Sequence, residues 1–157
     1  MPLTFGLQNA SDMLAKLHHE HERLEREVTS YNFFNFVVTA YHLIEWVKRD
    51  PVVSPATKRD LASVRQDTHI AVCRDLANAN KHFKLNYKGQ VTSATSRSGY
   101  GVGRYGAGTY GRGEESITIV LTDESEYDAL ALARSVADVW DAFFARHRAD
   151  KSLGAAP

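Results

Sequence analysis

Hydrophobic residues recur at steps of three and four along most of the chain, and that spacing predicts four helices. Leu14, Leu17, His21, Leu24 and Val28 form a narrow stripe on an otherwise charged segment, so a first helix over about 10–28 covers a core from outside. Asn9 or Ser11 suits its N-cap. A second helix, over about 31–49, is apolar nearly all round, from Phe33 and Phe34 through Tyr41 to Trp46 and Val47. Such a helix is buried on most sides, as the central post of a bundle or as part of a subunit interface. Its polar exceptions are Asn32, Asn35, His42 and Glu45. Each needs a partner or water, because burying it unpaired costs about 1–3 kcal/mol. His42 and Glu45 stand i,i+3 and suit an acid–base pair or, more commonly, a structural contact.

Leu61, Val64, Ile70, Cys73 and Leu76 carry a third helix over about 57–82, with Pro55 acceptable near its first position. Thr122 and Asp123 cap a fourth over about 123–148, with Glu124 and Glu126 in a first turn whose dipole favours anions. Its stripe is Leu132, Val136, Val139 and Phe143, and Arg146, His147 and Arg148 suit its C-terminal end. Residues 149–157 are expected to fray.

The period changes to two at Phe83-Lys84-Leu85-Asn86-Tyr87-Lys88, which reads as a strand with one buried face, continuing to about 95. Ser116 to Leu121 reads as a second strand. The expectation is a mainly α, single-domain chain over 1–157: a four-helix bundle with a two-stranded antiparallel hairpin inserted between helices 3 and 4. A lone hairpin is marginal in water, so it should lie against the bundle or be completed by a partner. The hairpin's long connection, 97–114, is rich in Gly, Tyr and Arg, and residues 99–113 hold seven of the ten glycines. Arg104, Tyr105 and Arg112 in it suit contact with single-stranded bases and their backbone. The plain alternative is a long hairpin tip.

The 157 residues suffice for one sizeable core. Nineteen basic and nineteen acidic residues cancel, so nucleic acid would be met by a local patch rather than a global field. Cys73 is the only cysteine, which excludes an internal disulfide and suits a reducing cytoplasm. The first residues do not read as a signal peptide, and no apolar run approaches the ~20 residues of a membrane span. No membrane and no cofactor is called for. His18 and Glu22 stand i,i+4, a spacing that can hold a metal, yet no matching His or Cys pair follows, so no metal is expected.

Candidate chemistry concentrates in Cys73 to Phe83, where helix 3 runs towards the first strand. Cys73, Leu76, Asn80 and Phe83 share one face by their spacing, and Arg74, Asn78 and His82 line up beside it. A cation, an amide and an imidazole in one line suit a phosphate oxygen. The bland account of the same residues is structural. Asn80 satisfies the chain where helix becomes strand, Lys81 and His82 complement a helix dipole, and Arg74-Asp75 is a solvated pair worth little.

The stretch Asn32 to Val47 followed by Cys73-Arg74-Asp75-Leu76-Ala77-Asn78-Ala79-Asn80-Lys81-His82-Phe83 resembles small bacterial proteins of the HEPN superfamily, over about 10–85 and 122–148. Their motif is an Arg, often a polar residue, and then a His a few positions on. Here Arg74 is followed by Asp75, and His82 comes one residue later than the longest spacing of that motif. The resemblance implies a helical bundle, commonly a homodimer, and a metal-independent endoribonuclease of toxin or phage-defence systems. It makes Arg74 and His82 the catalytic pair. Arg74 would stabilise phosphorane-like charge, and His82 would move a proton at the ribose 2′-hydroxyl or the leaving oxygen. Asn78 and Lys81 would orient the phosphate, and the product would end in a cyclic phosphate. The alternative is a non-catalytic dimeric module that binds RNA or a protein partner through the 97–114 loop.

Overall fold

A computed structural model describes residues 3–99, 102 and 114–148. Among them the chain is mainly helical, with five helices: α1 (Ala10–Arg26), α2 (Ser30–Arg49), α3 (Pro55–Gln66), α4 (Thr68–His82) and α5 (Ala129–Arg146). A small antiparallel sheet has three strands, β1 (Val91–Arg97), β2 (Ser116–Leu121) and β3 (Glu126–Asp128), in the order β1-β2-β3.

The caps explain where the first helices start. Asn9 accepts from the Asp12 N–H at 2.9 Å and opens α1, and Thr29 accepts from the Asn32 N–H at 3.1 Å and opens α2. α2 packs against all four other helices, the central post its apolar surface predicts. Leu17 and Leu24 of α1, Phe36 and Leu43 of α2, and Trp140 and Phe143 of α5 are fully buried in one core. Trp140 donates its indole N–H to the Ala40 carbonyl at 3.1 Å, which satisfies the one polar atom of that ring.

The helix expected over 57–82 is two helices. Asp67 adopts an extended conformation (φ −65°, ψ 132°) and serves both. Its backbone N–H donates to the Val64 carbonyl at 3.1 Å, ending α3. Its carboxylate accepts from the N–H groups of His69 (2.8 Å) and Ile70 (3.4 Å), starting α4.

The first strand begins at Val91, not at Phe83. Phe83 terminates α4 in a left-handed conformation (φ 66°) and its ring is 90% exposed, so it does not extend the apolar face of Cys73 and Leu76. Asn80 is likewise exposed rather than core-facing, and donates to the Leu76 carbonyl at 2.7 Å near the helix end. The 83–90 segment has no ladder partner because its backbone is held otherwise, as described below.

The last helix starts at Ala129, with Asp128 as its cap, rather than near Asp123. Glu124 and Glu126 therefore precede it. Asp123 instead accepts from the Ser125 N–H (3.0 Å) and hydroxyl (2.5 Å), tightening a turn between β2 and a third strand that the periodicity did not predict. Ile117, Ile119 and Leu121 of β2 are buried and carry the sheet onto the helical core, while β1 is almost wholly exposed. No described helix is long and apolar enough to cross a membrane.

Candidate functional site

The conformation of α4 and the chain after it is organised by Asp75, whose side chain is 0% exposed. One carboxylate oxygen accepts from Arg74 Nε (3.0 Å), Arg74 Nη2 (2.8 Å) and the Tyr87 hydroxyl (3.0 Å). The other accepts from the backbone N–H groups of Gln90 and of Val91 (3.2 Å for the latter). The Arg74–Asp75 pair is therefore not the solvated surface pair that adjacency alone suggests. It is a hydrogen-bonded charge pair that fastens 87–91 onto α4. Buried carboxylates persist when every lone pair is satisfied in this way.

Arg74 is half-buried, with its guanidinium carbon 5.2 Å from the centre of the Tyr87 ring. Partial burial disfavours its charge, but the bonds to Asp75 and Tyr87 outweigh this and raise its pKa further. Asn78 donates to the Tyr87 hydroxyl at 3.1 Å, so it belongs to the same cluster.

Arg74 also lines a cleft of about 320 Å³ between α2 and α4. Tyr41, His42, Glu45 and Lys48 enter it from α2, Ile70, Ala71 and Arg74 from α4, and Arg65 from the end of α3. These α2 positions share one face at helical spacing, the polar interruption in an otherwise apolar helix. His42 does not pair with Glu45. The Glu45 carboxylate instead faces Arg49 at 3.1 Å, and Lys48 and Arg65 at 3.8 Å each. The bond from Arg49 lowers its pKa against a small opposing effect of burial, with the nearby cations adding to the lowering. Desolvation lowers the pKa of His42, and the charges of Lys81 and Lys16 lower it further. Lys81, one of the expected phosphate-orienting residues, thus acts electrostatically on this imidazole.

His82 is exposed at the last position of α4 and makes no hydrogen bond, ion pair or ring contact among the described residues. Arg74 and His82 share a helix, yet the imidazole that shares a cleft with Arg74 is that of His42. Arg104, Tyr105 and Arg112, together with the expected fraying of 149–157, lie outside the described residues. His18 bonds Asp141 of α5 at 2.7 Å and Glu22 lies 3.5 Å from Arg26, so both members of the i,i+4 pair face other partners. Among the described residues no group of three or more His, Cys, Asp or Glu is placed to hold a metal. Cys73 is buried, and burial pushes its thiol pKa far up, which makes it a core residue rather than a nucleophile.

Compared with protein-family models, with curated proteins and with solved structures, the chain matches none.

Proposed function

We propose that the chain is a HEPN-like helical module that binds RNA through its phosphates in the α2–α4 cleft. The observation that carries this is the double engagement of Arg74. Asp75 clamps one edge of its guanidinium, and the same residue lines the cleft beside His42, Lys48 and Arg65. A guanidinium held in place loses little entropy when it meets a phosphate, which favours it as a binding residue. Tyr41 offers an aromatic ring for a base. Single-stranded RNA engaging two phosphates here gives a log–log salt slope of about −1.4, at about −0.7 per phosphate.

The test is a fluorescence-anisotropy titration with a labelled single-stranded RNA at several salt concentrations. Lys48→Gln with Arg65→Gln should weaken binding several-fold and flatten the slope by about one. Glu45→Gln removes the cleft's repulsive carboxylate and should tighten binding. Binding that ignores all three substitutions but is lost on deletion of 99–113 would assign recognition to the Gly/Tyr/Arg loop instead. Absence of RNA binding would leave a protein-binding module.

A metal-independent endoribonuclease is the second reading, favoured by the presence of an imidazole and a guanidinium in one cleft. The proton of the 2′-hydroxyl would pass to an imidazole, the 2′-oxygen would attack phosphorus, and the departing 5′-oxygen would be protonated. Incubation of RNA with chelator present, followed by detection of cyclic phosphate ends, tests it. His42→Asn and His82→Ala are the variants to compare. The homodimer that the HEPN resemblance implies is supported by exposed apolar rings on α2, where Tyr31 is 84% and Phe34 40% exposed. Light scattering of Tyr31→Ser with Phe34→Ser, expected to be monomeric, tests that.

A further inference from the structure

We infer that His42 is a phosphate-binding residue of the α2–α4 cleft that engages the ligand as an imidazolium, so that occupancy of the cleft is coupled to uptake of one proton. This rests on the RNA-binding reading above and adds its regulation.

His42 stands in the cleft wall with Arg74 and Arg65 facing the same space from α4 and α3. Lys81 of α4 and Lys16 of α1 act on it from the other packed helices, and Lys16 bonds Glu20 (2.9 Å) and the Thr39 hydroxyl (2.8 Å). On its own helix, Tyr41, Glu45 and Lys48 complete the surroundings, with Glu45 turned to Arg49, Lys48 and Arg65. Cations therefore dominate around the imidazole, and partial burial adds to their effect, so the empty cleft holds His42 neutral at neutral pH.

A phosphodiester entering the cleft reverses the sign of that field. Its negative charge offsets the lysines and accepts a hydrogen bond from the ring, and an opposite charge at contact distance raises a pKa by about 1–3 units. A group whose proton affinity rises on binding draws in a proton, and the ligand's affinity rises by the same factor as pH falls. Affinity should thus increase about tenfold between pH 8 and pH 5.5, using the lower end of that range.

The experiment titrates labelled oligouridine, whose bases and phosphodiesters do not titrate across that range, into the full chain at fixed ionic strength from pH 5.5 to pH 8. Wild type, His42→Gln and His82→Gln are compared, with calorimetry in buffers of different ionisation enthalpy to count protons. The expected result is about tenfold tightening on acidification for wild type and His82→Gln, with net proton uptake. His42→Gln should bind with the wild-type high-pH affinity at every pH. Flat wild-type affinity, a slope retained in His42→Gln, or a slope lost in His82→Gln would each overturn the coupling while leaving RNA binding in place. Absence of saturable binding at any pH would overturn the underlying RNA reading itself.

Discussion

Gly89 lies so close to Asp75 that a Cβ added at Gly89 would stand 2.5 Å from a carboxylate oxygen and 2.8 Å from the carboxylate carbon. The glycine lets the backbone of Gln90 and Val91 reach the buried anion. Gly89→Ala must push the chain off the carboxylate, and overpacking of this kind costs about 1–3 kcal/mol. Thermal denaturation should register it as roughly 2–4 °C per kcal/mol. An unchanged midpoint would mean that Asp75 does not hold this segment.

The Arg74–Asp75 pair predicts an asymmetry between single and double variants. Arg74→Ala leaves a buried carboxylate without its cation, at a cost on the order of 2 kcal/mol after allowing for the half-exposed guanidinium. Arg74→Ala with Asp75→Asn should be less destabilised than the sum of the two singles, because the amide needs no counter-charge. Strict additivity in a denaturant-melt cycle would contradict the coupling. The same logic makes Arg74→Ala a poor probe of function, since it changes stability and ligand contact together.

Asp67 ends one helix and begins the next, so Asp67→Ala should cost about 1 kcal/mol as a lost N-cap. Asp67→Asn, which keeps an accepting oxygen, should cost less. Equal losses would mean that the break between α3 and α4 is not set by this cap.

Phe83 holds a left-handed backbone conformation that L side chains resist by about 1–2 kcal/mol, and its exposed ring gains little from packing. Phe83→Gly should therefore raise stability by up to about 1 kcal/mol. A loss of stability on chemical denaturation would show that the ring packs in solution.

Asp60 ties α3 to the end of α5, accepting from His147 Nε2 at 2.8 Å and from Arg146 at 3.1 Å, while His147 Nδ1 meets the Thr57 hydroxyl at 3.2 Å. The bond to His147 is the main cause of the lowered Asp60 pKa, with partial desolvation opposing it and Ser63 and Arg146 adding to it. A carboxylate with a depressed folded pKa contributes stability that is present above its unfolded value near 3.9 and is lost as pH falls through the folded one. Asp60→Asn should accordingly lower the melting temperature at pH 6 and flatten its decline below pH 4. An acid limb identical to wild type would contradict the clasp.

The helices were legible where stripe and cap agree, as with Asn9 and Thr29. The break at Asp67 was not, because one aspartate inside a helical period carries no Gly or Pro signal; its side chain decides, and that is a local bond rather than a pattern. Glu126-Tyr127-Asp128 reads as an acidic first turn until the Asp123–Ser125 turn is seen to reverse the chain. The alternation over 83–88 imitates a strand, since Leu85 and Tyr87 do turn inward, but the backbone that follows is captured by a carboxylate whose burial no spacing reveals. For the site, the importance of Arg74 was visible and its partner was not. The polar face of Tyr41, His42, Glu45 and Lys48 on an otherwise apolar helix is the signal that marks the cleft.

Heteronuclear NMR of the histidine rings, recorded while single-stranded RNA is added, tests the cleft most directly. The ring resonances of His42 should move with saturation while those of His147, engaged in the α3–α5 clasp, stay in place. Saturating shifts at other histidines with His42 unmoved would contradict RNA binding between α2 and α4.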